Sequence, residues 1–201
     1  MPKRFFKEGR PHNGMCYDDY LTYMEHTFRD IKEPALTPEE KERRKFTELN
    51  YQRSLLTRRV YGVPDRLQAA LQRIAQPQLW MVLTEPWCGD SAQCLPYIAK
   101  YAECSANIQL RILLRDQNLD IMDQYLTNGT RSIPLLVAFD EAGNELFRWG
   151  PRPKEAAELF KKEKEAGLEK PQILEKLHLW YGRNRGKALE QEFLHLLEGL
   201  E

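Results

Sequence analysis

Leu79-Trp80-Met81-Val82-Leu83-Thr84-Glu85-Pro86-Trp87-Cys88-Gly89-Asp90-Ser91-Ala92-Gln93-Cys94 holds a short apolar run, then a turn, then helical spacing. Such a pattern predicts a strand over 79–83 and a helix from about residue 89, with Cys88 at the junction. A thiol in that position lies beside the unpaired N–H groups of a helix start and the positive end of its dipole. Both favour thiolate, the reactive form of cysteine. Asp90, two residues on, opposes them: a carboxylate near a thiol raises its pKa.

Around this stretch the signals alternate. Ile108–Leu114 predicts a strand, Leu119 to Leu126 a helix stopped by Asn128-Gly129, Pro134–Phe139 a strand, Asp140–Asn144 a turn and Glu145–Trp149 its antiparallel partner. A helix over 153–166 follows. The order from 79 to 166 is β-α-β-α-β-β-α, an α/β mixed sheet with flanking helices, because a strand–helix–strand unit implies a parallel pair. Pro96 falls inside the helix after Cys88 and is expected to kink it.

Upstream, residues 1–16 lack periodicity and read as a loose arm. Tyr17, Tyr20, Leu21, Met24, Phe28 and Ile31 recur at helical spacing. Thr37-Pro38-Glu39-Glu40 is a helix start, with Thr37 as N-cap, Pro38 first in the helix and Glu40 closing a capping box. That helix is expected to reach about Arg59, and Leu67 to Ile74 gives another. Downstream, Ile173, Leu174, Leu177, Leu179 and Trp180 mark a helix, Gly182–Gly186 an interruption, and Leu189, Phe193, Leu196 and Leu197 a final helix. The expected division is an N-terminal arm and helical extension (1–78), a core (79–166) and a C-terminal helical extension (167–201), together forming one compact unit.

The 201 residues include 30 Lys+Arg and 30 Asp+Glu, so no net field selects nucleic acid or an anionic membrane. No apolar segment follows the basic start, so no signal peptide is expected, and no window is long enough to span a bilayer. Four cysteines in this length do not make a disulfide scaffold, which points to a reducing, cytoplasmic setting. His12, His26, His178 and His195 show no metal spacing, and no cofactor is implied.

Trp87-Cys88-Gly89, with Ser132-Ile133-Pro134 some 45 residues on, Asp116 and Asn118 after a strand, and Gly143 and Gly150 around a hairpin, resembles the thioredoxin superfamily over residues 79–166. The whole chain is similar to bacterial thioredoxin-like proteins whose motif is Trp-Cys-Gly-Asp. The resemblance implies that Pro134 follows a cis peptide bond and that Ile133 contacts a bound peptide opposite Cys88. It also implies a thiol–disulfide oxidoreductase role in cell redox homeostasis, with Cys88 as nucleophile and Trp87 shielding it and stacking on a partner.

Departures from the family pattern narrow the chemistry. Asp90 stands in place of the usual proline, Ser91 in place of the second cysteine, and Val82 in place of a buried acid. Ser91 cannot resolve a mixed disulfide. It either donates a hydrogen bond to the sulfur or caps the helix. Cys94 lies six residues along, a rise of about 9 Å, whereas a disulfide needs Cα atoms within about 7 Å; it reads better as a small core residue. Glu85 is expected to be a solvated loop acid, with a catalytic role as the rival.

Three functions stay open. One is a monothiol oxidoreductase that attacks a protein or small-molecule disulfide and is released by glutathione or another low-molecular-weight thiol. Another is a redox-silent module that binds a peptide or protein at Ile133-Pro134. The third is an iron–sulfur carrier, because Cys88-Gly89-Asp90-Ser91 also resembles the Cys-Gly-Phe-Ser motif of monothiol glutaredoxins. The terminal apolar stripes need burial and leave a homodimer open.

Overall fold

The computed structural model describes residues 2–30 and 36–200; Ile31, counted above in a helical stripe, lies outside them. Contacts along the chain divide it into two compact units, Met1–Pro151 and Arg152–Glu201.

The first unit is built on a four-stranded sheet. β1 (Gln78–Thr84), β2 (Ile108–Leu114), β3 (Leu135–Asp140) and β4 (Glu145–Trp149) lie in the order β2-β1-β3-β4. β1 runs parallel to β2 and antiparallel to β3; β3 and β4 form the hairpin, with a register shift at Ala138/Phe139. β1 is central, and Leu79 to Thr84 are all buried, which is why it reads as a continuous apolar run rather than an alternating one.

Helices surround the sheet: α1 (Arg4–Lys7), α2 (Tyr17–Arg29), α3 (Pro38–Val60), α4 (Asp65–Gln72), α5 (Gly89–Ala102) and α6 (Leu119–Met122). The capping box of α3 forms as expected: Thr37 accepts from the Glu40 N–H, and Glu40 accepts from the Thr37 N–H at 2.8 Å. α2 buries Tyr17, Tyr20, Leu21, Met24 and Phe28, one stripe of a helix. The inward face of α3 is polar instead, with Thr47, Asn50, Tyr51 and Ser54 buried. α5 continues through Pro96.

Two expectations are corrected. The stretch expected as a loose arm, residues 1–16, is held in place over its described residues 2–16. Phe5 and Phe6 form one turn of helix and are buried, packing on Phe139 at ring distances of 6.2 and 5.1 Å. Met15 then pairs its backbone with Ile112 of β2, at 2.9 and 2.8 Å. A single turn is too short to show periodicity, so burial of two aromatic rings fixes this segment without a helical signal. The helix expected over Leu119 to Leu126 also stops after Met122, and Leu126 is exposed while Tyr125 stays buried.

The second unit contains α7 (Lys154–Glu165), α8 (Lys170–Asn184) and α9 (Lys187–Glu198). Its buried positions include Ala156, Ile173, Leu177, Tyr181, Leu189 and Phe193. On α8 the buried stripe is Ile173, Leu177 and Tyr181, at i, i+4 spacing; Leu179, expected to share it, is exposed. The chain turns between α8 and α9 through left-handed Arg185 and Gly186. Asn184 accepts from the Ala188 N–H at 3.0 Å and so caps α9.

Gly150 holds the end of β4 against the loop before β3. Its φ is +128°, and a Cβ there would lie 2.1 Å from the Pro134 carbonyl oxygen. Gly150→Ala therefore strains a special backbone conformation and forces two backbones apart, a cost of at least about 2 kcal/mol. Thermal unfolding should show a loss of about 5 °C or more. Gly62→Ala, where a Cβ meets nothing within 4 Å, should leave the midpoint within about 2 °C.

Candidate active site

Cys88 is the residue before the first turn of α5, reached through a turn in which its N–H bonds the Glu85 carbonyl at 3.0 Å. Its thiol donates to the Ile133 carbonyl oxygen at 3.4 Å, and the Ile133–Pro134 peptide is cis. Residues 45 apart in sequence thus meet at one sulfur. The residue is only 8% exposed and packs in an apolar cluster that includes Phe5, Leu83, Ile133 and Leu135.

Burial decides the charge of this thiol. Removal from water pushes its pKa up to about 11, and the nearby Asp90 carboxylate adds to the rise. The Ser91 hydroxyl and the N–H groups of Ser91 and Asp90 pull the other way. Helix start and carboxylate do oppose each other, but the larger influence is desolvation.

Ser91 is 2% exposed, and its hydroxyl accepts from Thr84 Oγ1 at 2.5 Å. Thr84, the last residue of β1, is itself fully buried. Trp87 is half-buried and packs on the apolar cluster around Cys88. Two guanidinium groups lie over its ring, Arg43 at 5.3 Å and Arg115 at 5.1 Å, both within cation–π range. Cys94 is buried at 1% exposure within α5, and all four cysteines are free thiols. Val82 is fully buried.

Glu85 is not a solvated loop acid. It is 7% exposed and accepts the Asp116 N–H at 2.8 Å. Its pKa is raised by burial first; the Asp116 N–H, Arg115 and Arg43 offset part of that rise. A cavity of about 230 Å³ opens beside it, lined by Tyr23, Thr27, Arg43, Trp87 and Asp116 among others.

The N-terminal helices supply much of this environment, which the sequence reading did not assign to the site. Asn50 of α3 donates to the Pro86 carbonyl at 3.0 Å, directly before Trp87. The buried polar residues among those described are Thr47, Asn50 and Ser54 on α3 and Thr84, Glu85 and Ser91 on the active-site stretch. Polar residues at i, i+3 and i+7 in Thr47, Asn50 and Ser54 carry a helical period, but an apolar-stripe reading passes over it. Elsewhere Arg152 stacks on Phe160 at 4.6 Å, within the second unit. Among the described residues no group of three or more His, Cys, Asp or Glu could hold a metal ion, and no helix is long and apolar enough to cross a membrane.

A buried acid with a raised pKa holds its proton more tightly when folded than unfolded. Its contribution to stability is present at low pH and is lost as pH rises through the folded pKa. Glu85→Gln keeps a carbonyl oxygen for the Asp116 N–H and removes the buried charge. The variant should melt at a higher temperature than wild type at neutral pH, and the difference should vanish below about pH 4, where both side chains are neutral. Equal melting at both pH values would contradict the assignment.

A family profile described as thioredoxin matches residues 18–165, so the match takes in α2 and α3 as well as the sheet. No curated protein sequence matches significantly. Two solved structures share the fold. One is a protein of unknown function from Pseudomonas aeruginosa, at 23% identity and TM-score 0.58, covering 95% of this chain and 96% of that one. The other is an HIV epitope-scaffold, at 23% identity and TM-score 0.56, covering 94% of each chain. With the thioredoxin profile spanning most of its length and this sheet order beneath it, the chain belongs to the thioredoxin family.

Proposed function

We propose that the protein is a monothiol thiol–disulfide oxidoreductase acting through Cys88 in a reducing, cytoplasmic environment. One observation carries the reading: the Cys88 sulfur lies at the start of α5 and 3.4 Å from the Ile133 carbonyl, beside Pro134. A partner's extended backbone laid along Ile133-Pro134 would bring its own sulfur to Cys88. The Cys88 thiolate attacks one sulfur of a mixed disulfide between a protein and a small thiol. A new sulfur–sulfur bond forms to the small thiol, the old one breaks, and the protein leaves as thiolate. A second small thiolate then attacks that adduct, restores Cys88 and departs as the oxidised small disulfide. The mixed disulfide is reduced to the protein thiol, and one free small thiol is consumed in forming the small disulfide. Ser91, with no thiol, leaves the second step to the external reagent.

A second reading, a redox-silent module that binds a peptide through the same loop, is favoured by the burial of the sulfur. A thiol 8% exposed with its pKa near 11 is neutral at physiological pH and a slow nucleophile.

Two measurements separate them. A peptide carrying glutathione on one cysteine, mixed with the protein and free glutathione, should release its thiol with turnover that falls to the uncatalysed rate in Cys88→Ser. No release by wild type above that background would sink the oxidoreductase. The second is pH dependence. Alkylation of Cys88 by iodoacetamide should rise about tenfold per pH unit from about pH 7 to 10 without levelling, because the thiol stays protonated below its raised pKa. A plateau near pH 8.5, the range of an unperturbed cysteine, would remove the support for the silent module.

A further inference from the structure

A polar cavity of about 230 Å³ is lined by α2, α3 and the turn before Cys88. Two of its charged groups are incompletely bonded, and they are of opposite sign. The first is Glu85, 7% exposed. One of its carboxyl oxygens accepts the Asp116 N–H at 2.8 Å; among the described residues the other accepts nothing. A carboxylate buried with an open oxygen is costly, and the cost is met when a donor arrives.

The second group is Arg43. A guanidinium carries five N–H donors. Arg43 gives a terminal nitrogen to Glu39 at 2.9 Å, while its Nε and other terminal nitrogen bond no described residue. The remaining charged groups of the lining are engaged. Glu40 bonds the Thr37 N–H at 2.8 Å, Arg44 the Phe28 carbonyl at 2.7 Å, and Asp116 the Arg115 guanidinium at 2.7 Å. Leu36, Pro86 and Trp87 add apolar surface.

These groups suit a molecule with a cationic amine, a carboxylate and an apolar body. An ammonium at Glu85 brings N–H donors and a countercharge to the open oxygen. A carboxylate at Arg43 takes the donors left over from Glu39. A pure cation would be repelled by Arg43 and Arg44, and a pure anion by Glu85 and Asp116. Size sets a further limit. At about 30 Å³ for each water in the liquid, the cavity has room for roughly eight non-hydrogen atoms, the scale of one amino acid.

We propose that this cavity binds a free α-amino acid with a medium-sized apolar side chain, its ammonium on Glu85 and its carboxylate on Arg43. The Cys88 sulfur takes no part, so the site stands or falls apart from the oxidoreductase reading.

The test is titration calorimetry on the full chain at neutral pH with L-leucine and L-methionine. At least one should bind saturably, with Kd below about 10 mM, the weakest expected for a ligand of this size. Two fragments of leucine check the charge pattern. 4-Methylpentanoate, which lacks the amine, and 3-methylbutylamine, which lacks the carboxylate, should each bind at least about tenfold more weakly, the loss of one charged hydrogen bond. Glu85→Gln and Arg43→Gln should each weaken the amino acid by about tenfold or more for the same reason. Glu85→Gln keeps an oxygen for the Asp116 N–H, and the Arg43 side chain is 49% exposed, so neither change opens the core. If either variant is unfolded by its melting curve, the ligand series on wild type decides. Binding of neither amino acid would overturn the proposal. So would either fragment matching leucine, or a folded variant with wild-type affinity.

Discussion

A sulfur taken out of water must either stay neutral or be given enough hydrogen-bond donors to carry charge. That constraint shapes the centre of this protein. Cys88 lies in an apolar cluster, beside an acid two residues on, and at the start of a helix whose N–H groups reach it. Its proton rests on the Ile133 carbonyl. Everything near it either maintains that neutral state or lowers the cost of leaving it. Burial and Asp90 do the former; Ser91 and the first N–H groups of α5 do the latter.

The two N-terminal helices belong to the same problem. α3 is long and well capped, yet the side it turns inward is polar. Its Asn50 holds the Pro86 carbonyl, directly before Trp87. A buried polar surface is tolerated only when its groups find partners. Here Asn50 finds the Pro86 carbonyl of the active-site stretch, and Thr47 the Arg43 carbonyl of its own helix. Packing and chemistry are therefore not separable on this side of the sheet. The match of the thioredoxin profile from residue 18 onward fits that view, because it includes these helices with the core.

Local signals in the sequence account for much of the architecture. Leu79 to Leu83 shows a central strand by apolar content alone, and Thr37-Pro38-Glu39-Glu40 shows a helix start through side-chain chemistry. Asn128-Gly129 and Gly143 mark turns because left-handed backbone is costly elsewhere. What the sequence hides is non-local. Glu85 looks like a loop acid until the Asp116 N–H, 31 residues away, closes over it. Phe5 and Phe6 look like part of a tail until Phe139 is seen beneath them. The junction at Cys88 is legible from the residues around it. Its burial is not, because the covering residues come from α1, the loop before β3 and β3 itself.

The pairing of Met15 with Ile112 has a consequence for how this sheet can meet other chains. A four-stranded sheet has two open sides, here along β2 and β4. The N-terminal segment occupies the β2 side with its own backbone, and an incoming strand would have to displace it together with the buried rings of Phe5 and Phe6. β4 is five residues long and carries Glu145 and Arg148 as an ion pair, features that discourage lateral growth. The protein is thereby guarded against end-to-end sheet polymerisation on one flank by its own leading residues and on the other by brevity and charge.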